Sequence, residues 1–296
     1  MFNSAISKLP QLFFRKRAFF SGKHNLAQRS DSLVADGRQQ QGQVFIIGAG
    51  PGDAELLTIK AWKCLQQADV VLFDWLVDES VIAEIPRHVK TEFVGKRAGK
   101  HSMHQDDICK RVVELAASGL NVVRLKGGDP AIFARTYEET QALEAAGIPF
   151  AIVPGITAAS GASAYTGIPL TERDCAQSVT FTTASFKDQD KMPDWQSLAE
   201  TMQRQTVVIY MGLSRLKRIS EELIAAGIRE TLPVAVIENA CTPNQQVVTS
   251  TVSSIADEVS AANLQGPALL IFGEVVKSRQ QVSPALLQQV SHVAGI

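Results

Sequence analysis

QVFIIGAGPGDAELLT, from Gln43 to Thr58, opens as an apolar strand-like run and breaks at Gly48 into a turn with three glycines and a proline. Glycine tolerates positive φ and lets a ligand approach the main chain closely. A second run of the same kind, VVRLKGGDP from Val122 to Pro130, ends in Gly127-Gly128-Asp129. Open α/β sheets bind ligands beyond the carboxyl ends of their strands, so two such loops at strand ends predict one cleft floor. The first loop is not a dinucleotide fingerprint in full. Its third glycine falls one residue early for G-x-G-x-x-G, and Pro51 lacks the N–H that a pyrophosphate would want. A strand-to-helix turn without a ligand uses the same residues, and a nicotinamide-dependent oxidoreductase stays open as an alternative at this point.

The chain around these loops alternates strand and helix patterns. Strand-like runs fall at Gln43–Ile47, Asp69–Phe73, Thr91–Val94, Asn121–Leu125 and Phe150–Val153. The segment Gln105–Ser118 is helical in pattern, with Ile108, Val112, Leu115 and Ala116 on one face and Gly119 as its stop; Thr136–Ala146 is closed by Gly147. Alternating βα units predict a mainly parallel sheet covered by helices. The direction changes at Val153-Pro154-Gly155, and Ile156–Tyr165 is a stretch of small residues. Five further runs follow at Ser178–Thr183, Thr206–Met211, Pro233–Ile237, Gln246–Val252 and Ala268–Phe272, with helical candidates at Ser214–Ala226 and Ser253–Ala262. Gln246–Val252 follows Ile237 too closely for a crossover helix, so the two are expected to pair as a hairpin within a mixed sheet. The expectation is α/β, with two α/β domains flanking a cleft. Residues 43–154 and 155–280 form the domains, 1–42 a basic extension and 281–296 a tail.

Composition narrows the function classes. The 296 residues carry 29 basic and 30 acidic side chains, a formal net charge of −1, without the basic excess of a nucleic-acid binder. Cys64, Cys109, Cys175 and Cys241 are scattered and form no CxxC pair, which fits free thiols in a reducing cytoplasm. His101 and His104 share one helical turn without an obvious third ligand, so no metal site is expected. No apolar run approaches the ~20 residues of a membrane span. Residues 1–30 contain Lys8, Arg15, Lys16, Arg17, Lys23 and Arg29 but no acid. That composition reads as a disordered extension, with an organellar targeting segment as the alternative.

The block VVRLKGGDPAIFARTYEE, Val122 to Glu139, carries more information than either glycine loop alone. With GAGPGDAELLT (Gly48–Thr58), FDWLV (Phe73–Val77), VGKRAGKHSMHQDDI (Val94–Ile108), VPGITAASGASAYTGIPLTERDCAQSV (Val153–Val179), YMG (Tyr210–Gly212), IENACTPNQ (Ile237–Gln245) and GPALLIFGEVV (Gly266–Val276), it resembles the uroporphyrinogen-III C-methyltransferases of the tetrapyrrole methylase superfamily. The resemblance runs from about Gly42 to Val276. It implies S-adenosylmethionine as cofactor, S-adenosylhomocysteine as its product, a tetrapyrrole substrate and a homodimer. Family cofactor positions fall on Pro51, Gly127, Gly128, Asp129, Ile132, Thr157, Ala158, Met211 and Ala240. Asp74 matches the position assigned as proton acceptor and Lys96 the proton donor. A polycarboxylate substrate calls for cations, and Arg97, Arg124, Lys126, Arg135 and Arg173 lie in or beside the matched blocks. The implied activity is methylation of uroporphyrinogen III on rings A and B to precorrin-2.

The chain departs from the family pattern at several of these places. Trp75 stands where an arginine commonly follows the aspartate, and Phe133-Ala134-Arg135-Thr136 replaces FGRG. Glu172 stands for a histidine, Thr183-Ala184-Ser185 for TGH, and Ala240 for a glycine. Trp75 and Glu172 bear on how substrate carboxylates are held, and Ala240 adds a methyl beside the cofactor. They spare Asp74, Lys96 and the Gly127-Gly128-Asp129 triplet.

Overall fold

The computed structural model describes residues 41–95, 103–185, 193–283 and 286–287. Most of the basic extension and the tail, with Lys96, Arg97 and His101, therefore lie outside the described residues. The first half contains β1 (Gln43–Gly48), α1 (Ile59–Gln66), β2 (Val70–Phe73), α2 (Glu79–Ala83), β3 (Lys90–Phe93), α3 (Gln105–Ala117), β4 (Asn121–Lys126), α4 (Thr136–Ala145) and β5 (Phe150–Val153). The second half continues with α5 (Ala158–Thr166), β6 (Val179–Thr183), α6 (Trp195–Met202), β7 (Thr206–Tyr210), α7 (Leu216–Ala225), β8 (Pro233–Glu238), β9 (Gln246–Thr251), α8 (Ile255–Ala261) and β10 (Ala268–Phe272).

Local chemistry explains the boundaries. The Thr58 hydroxyl accepts from the Ala61 N–H at 3.2 Å and starts α1, while Asp78 and Asp194 cap α2 and α6 through their carboxylates. Gly167, at φ 69°, ends α5. In α3 the buried face is Ile108, Cys109, Val112, Leu115 and Ala116, which contains every apolar position expected from periodicity.

The first sheet has the order β3-β2-β4-β1-β5, and every pairing in it is parallel. The chain leaves β1 for β2 and β3, returns to place β4 beside β1, and then crosses to β5 on the other side. That reversal of strand order puts a switch point at the carboxyl end of β1. One face of the sheet buries Val71, Val123 and Leu125 with Ala61, Leu65 and Val81 of α1 and α2; the other buries Val70, Leu72 and Val122 with α3 and Leu143 of α4. The second sheet has the order β6-β7-β10-β8-β9. There β6 and β7 run parallel, and the β7–β10, β10–β8 and β8–β9 pairs are antiparallel. The expected hairpin is present, with Ile237 opposite Val247. Among the described residues no helix is long and apolar enough to cross a membrane.

Candidate functional site

The two glycine loops meet at the switch point. Gly50 and Gly128 form an antiparallel bridge, with N–H to carbonyl distances of 3.2 and 2.8 Å. Gly155, just past β5, closes on the same spot. A Cβ at Gly155 would stand 2.4 Å from the Gly128 carbonyl oxygen, and one at Gly48 would stand 2.5 Å from it. The ends of β1, β4 and β5 are thus bare main chain in mutual contact. Asp129 fastens them: its Oδ2 accepts from the Gly155 N–H at 2.9 Å and its Oδ1 from the Ala131 N–H at 2.7 Å. A carboxylate has further lone pairs to offer, so these bonds leave it able to receive a ligand's donor as well. Pro51 lies against Gly161 of α5, where an added Cβ would be 2.5 Å from Pro51 Cγ.

From the second half come Thr157, the N-cap of α5, and Tyr210 at the end of β7. The Tyr210 hydroxyl lies 2.7 Å from the Thr157 hydroxyl and accepts from the Ala159 N–H at 3.2 Å. Burial raises the pKa of this phenol. Phe133 packs on the Tyr210 ring at 5.0 Å. Met211, at φ 55° and 49% exposed, is a non-glycine residue in left-handed backbone. Such conformations cost energy and gather at binding sites. Asn239 and Cys241 share that conformation on either side of Ala240. Pro51, Gly127, Gly128, Asp129, Ile132, Thr157, Ala158 and Ala240 are all partly buried, the character of a lined cleft.

Asp74 follows β2 directly. Its Oδ1 accepts from the Leu76 N–H at 3.3 Å, and its Oδ2 accepts from Arg124 Nη2 at 3.2 Å. The carboxylate keeps 24% exposure while the Arg124 side chain has only 4%. Beneath them sits Glu139 of α4, whose residue exposure is 1%. Glu139 Oε1 accepts from Lys126 Nζ at 2.7 Å, from Arg124 Nε at 3.3 Å and from Gln105 Nε2 at 3.1 Å. Burial, reinforced by the adjacent Arg124 charge, lowers the Lys126 pKa.

The structure therefore separates the cations grouped together from sequence. Arg124 and Lys126 are 3% exposed, and their charges are spent on Glu139 and Asp74 rather than offered to solvent. Arg135 is exposed, in left-handed backbone at φ 55°, and pairs with Glu138 at 2.8 Å. Arg173 is exposed in the turn closed by the Glu172–Ala176 bridge. His104 precedes α3 without capping it through its side chain.

Glu139 and Tyr210 carry contacts that sequence reading did not single out. A signal for Glu139 was present. Arg124 and Lys126 alternate onto one face of an otherwise apolar strand, and a buried pair of cations requires a buried counter-charge. Glu139 stands four residues before Leu143, so the two share the inward face of α4.

Comparison with known proteins fits this geometry. The family described as Tetrapyrrole (Corrin/Porphyrin) Methylases matches residues 43–256. The siroheme synthase of Acinetobacter baylyi is 46% identical over 268 residues, which is 90% of this chain and 58% of that protein. The siroheme synthase of Actinobacillus pleuropneumoniae serotype 7 is 49% identical over 94% of this chain and 59% of its own length. The chain thus spans little more than half of these relatives. A uroporphyrin-III C-methyltransferase from Thermus thermophilus, complexed with S-adenosylhomocysteine, aligns at a TM-score of 0.69 and 37% identity, covering 80% of this chain and 99% of that one. A cobalt precorrin-4 methyltransferase aligns at a TM-score of 0.70 and 31% identity, over 79% of this chain and 95% of its own. With a family match across most of its length and a solved relative covered almost end to end, the chain belongs to the tetrapyrrole (corrin/porphyrin) methylases.

Proposed function

We propose that this methylase transfers methyl groups from S-adenosylmethionine to carbons on rings A and B of uroporphyrinogen III, forming precorrin-2 by way of precorrin-1. The observation that carries the reading is the main-chain cradle. At the ends of β1, β4 and β5, Gly48, Gly127 and Gly155 leave room for no side chain, Gly128 beside them has room at its Cβ position, and Asp74 opens next to this main chain. An adenosyl amino acid fits such a cradle, because it is recognised by backbone and needs no phosphate site. Pro51, Gly127, Gly128, Asp129, Ile132, Thr157, Ala158, Met211 and Ala240 hold it in this reading. Asp129 and the Thr157 hydroxyl are the polar partners, and Met211 and Ile132 supply apolar contact.

The cofactor supplies an electrophilic methyl group on a sulfonium. The protein's part is alignment of that methyl with an electron-rich pyrrole carbon, and positioning is worth roughly 7–11 kcal/mol in well-oriented reactions. Asp74 then accepts the one proton whose loss restores the neutral macrocycle, and Lys96, at the family's proton-donor position, stands as the second acid–base group through which that proton is passed on to solvent. Arg135, Arg173 and Arg97 meet the substrate carboxylates. Arg124 and Lys126 serve the site from below, through Asp74. We read residues 43–154 and 155–280 as the two domains of a homodimer-forming subunit; light scattering of the purified chain at twice the subunit mass is the expected result.

Incubating the protein with methyl-labelled S-adenosylmethionine and anaerobic uroporphyrinogen III should place label in the tetrapyrrole. Asp74→Asn should lower turnover by about 100-fold or more with cofactor affinity nearly unchanged. Label absent from the tetrapyrrole would reject the substrate, and near-normal turnover of the variant would reject the role of Asp74. The likeness to a cobalt precorrin-4 methyltransferase favours one second reading, a later corrinoid as methyl acceptor. A screen of corrinoid acceptors separates the two.

A further inference from the structure

Glu139 has an unusual position for a carboxylate. It is 1% exposed, its Oε1 gathers three donors from α3 and β4, and its Oε2 has no hydrogen-bond partner among the described residues. Buried ion networks are poor stability devices, since well-packed apolar residues of similar volume are often as good or better. A network retained at such cost needs another reason.

The geometry points to Glu139 as a positioning residue for the methylase reaction, acting on Asp74 through Arg124. The inference rests on the proposed role of Asp74 as proton acceptor. Arg124 is held in one plane by three kinds of partner. Its Nε donates to Glu139 Oε1, its Nη1 to the Leu125 carbonyl at 2.9 Å, and its Nη2 to Asp74 Oδ2. A rigid guanidinium fork fixed at two corners aims its third at Asp74. The Leu76 N–H holds the other Asp74 oxygen, so the carboxylate is oriented from both sides. Glu139 also neutralises Lys126, which stands two residues from Arg124 on the same face of β4. With that counter-charge gone, two buried cations repel each other directly below Asp74, and the fork loses its inner anchor. Gln105 of α3 and the buried face of α4 lock the Glu139 rotamer, so the aim is set by packing remote from the cleft.

The test is a cycle of four chains: unaltered, Asp74→Asn, Glu139→Gln and the double variant, with Glu139→Asp as the conservative replacement. Steady-state methyl transfer to uroporphyrinogen III, calorimetric binding of S-adenosylhomocysteine and thermal unfolding are measured on each. Glu139→Gln should lower kcat by about tenfold or more, while KM and product affinity stay within about twofold. Glu139→Asp, which keeps the charge, should recover part of the loss. In the Asp74→Asn background Glu139→Gln should cost less than about twofold, because coupled residues are not additive. Equal losses in both backgrounds, or a loss carried by KM or product affinity, would overturn the inference. The Asp74 reading has its own arm: near-normal turnover of Asp74→Asn removes that reading and this inference with it. A crippled Asp74→Asn with a full additional loss removes only the inference. If Glu139→Gln does not fold, the same cycle is run with Lys126→Met and Glu139→Gln combined, which removes the pair without leaving excess buried charge.

Discussion

Gly155 and Gly147 are both glycines at strand or helix ends, yet the structure gives them opposite surroundings. A methyl on Gly155 would strike the Gly128 carbonyl at 2.4 Å and the Gly48 Cα at 2.8 Å, and backbone cannot yield as a side chain does. Gly147 has φ 66° and nothing within 4 Å of its added Cβ. Gly155→Ala should therefore push apart the loops that form the cradle, weakening S-adenosylhomocysteine binding by about tenfold or more in calorimetry, the scale of a clash that strains packed atoms. Gly147→Ala should cost about 1–2 kcal/mol of stability from left-handed strain and leave affinity unchanged. Equal affinities for the two variants would mean that the cradle is not the binding surface. The loops were legible in sequence because bare glycines after an apolar strand answer a local backbone need. Glu139 was legible only as a need: two cations on one face of an apolar strand call for a buried acid, but a glutamate in a helical pattern reads as a solvated charge until the strand opposite it is known. Arg124 and Lys126 looked like substrate cations for the same reason. Alternation put both on one face of β4, but the element covering that face comes from α4, further along the chain.

The elements themselves were largely readable, and the exceptions have causes. All ten strands among the described residues lie within or beside the expected runs, because strand segments are short and bounded by turns and the central ones are mostly buried, mostly apolar runs. The hairpin of β8 and β9 followed from the shortness of its connection. Helix α6 went unread, although Trp195, Leu198, Ala199 and Met202 repeat at helical spacing and pack on the second core. The repeat runs for only 8 positions, about two turns, too short a stretch for its period to stand out from a loop. Helix α5 reads poorly for another reason: its small residues are suited to close approach rather than amphipathic contrast. Its anchor is Tyr210, whose hydroxyl joins the end of β7 to Thr157 and to the Ala159 N–H. Tyr210→Phe leaves an N-terminal amide and a hydroxyl of α5 without that partner, a loss of about 1–3 kcal/mol. Urea unfolding should show a lower midpoint with unchanged slope, and product affinity should fall several-fold because Thr157 is no longer held. An unaltered midpoint would show that water replaces the hydroxyl at no cost.

At the scale of the whole molecule, the two sheets are joined around the cleft by contacts that a ligand would reinforce. Tyr165 of α5 donates to Asp53 Oδ2 at 2.7 Å, and Gln245 of the β8–β9 connection donates to the Tyr165 carbonyl at 3.2 Å. Cys241 lies among them, 2% exposed, close enough to Gly161 that an added Cβ would stand 2.8 Å from its Sγ. Burial, aided by the Asp53 carboxylate, pushes the Cys241 thiol up to about 12. The native state thus holds the proton more tightly than the unfolded chain, whose cysteines ionise near pH ~8.5. The sign follows: this contribution to stability is complete below about pH 8.5 and declines as pH rises toward about 12, because only the unfolded chain releases the proton in that window. Alkylation of Cys241 by iodoacetamide, followed by peptide mass spectrometry, reads the same quantity. In the native protein its rate should keep climbing by about tenfold per pH unit beyond the point near pH ~8.5 where the urea-unfolded chain levels off. A plateau at the unfolded-chain value would mean that Cys241 is already accessible. If the cofactor bridges the loop after β1 and the β8–β9 connection, S-adenosylhomocysteine at 100 times its Kd should slow native labelling by about 100-fold, the factor by which mass action suppresses the opened form. A rate indifferent to the ligand would place the cofactor on one side of the cleft alone.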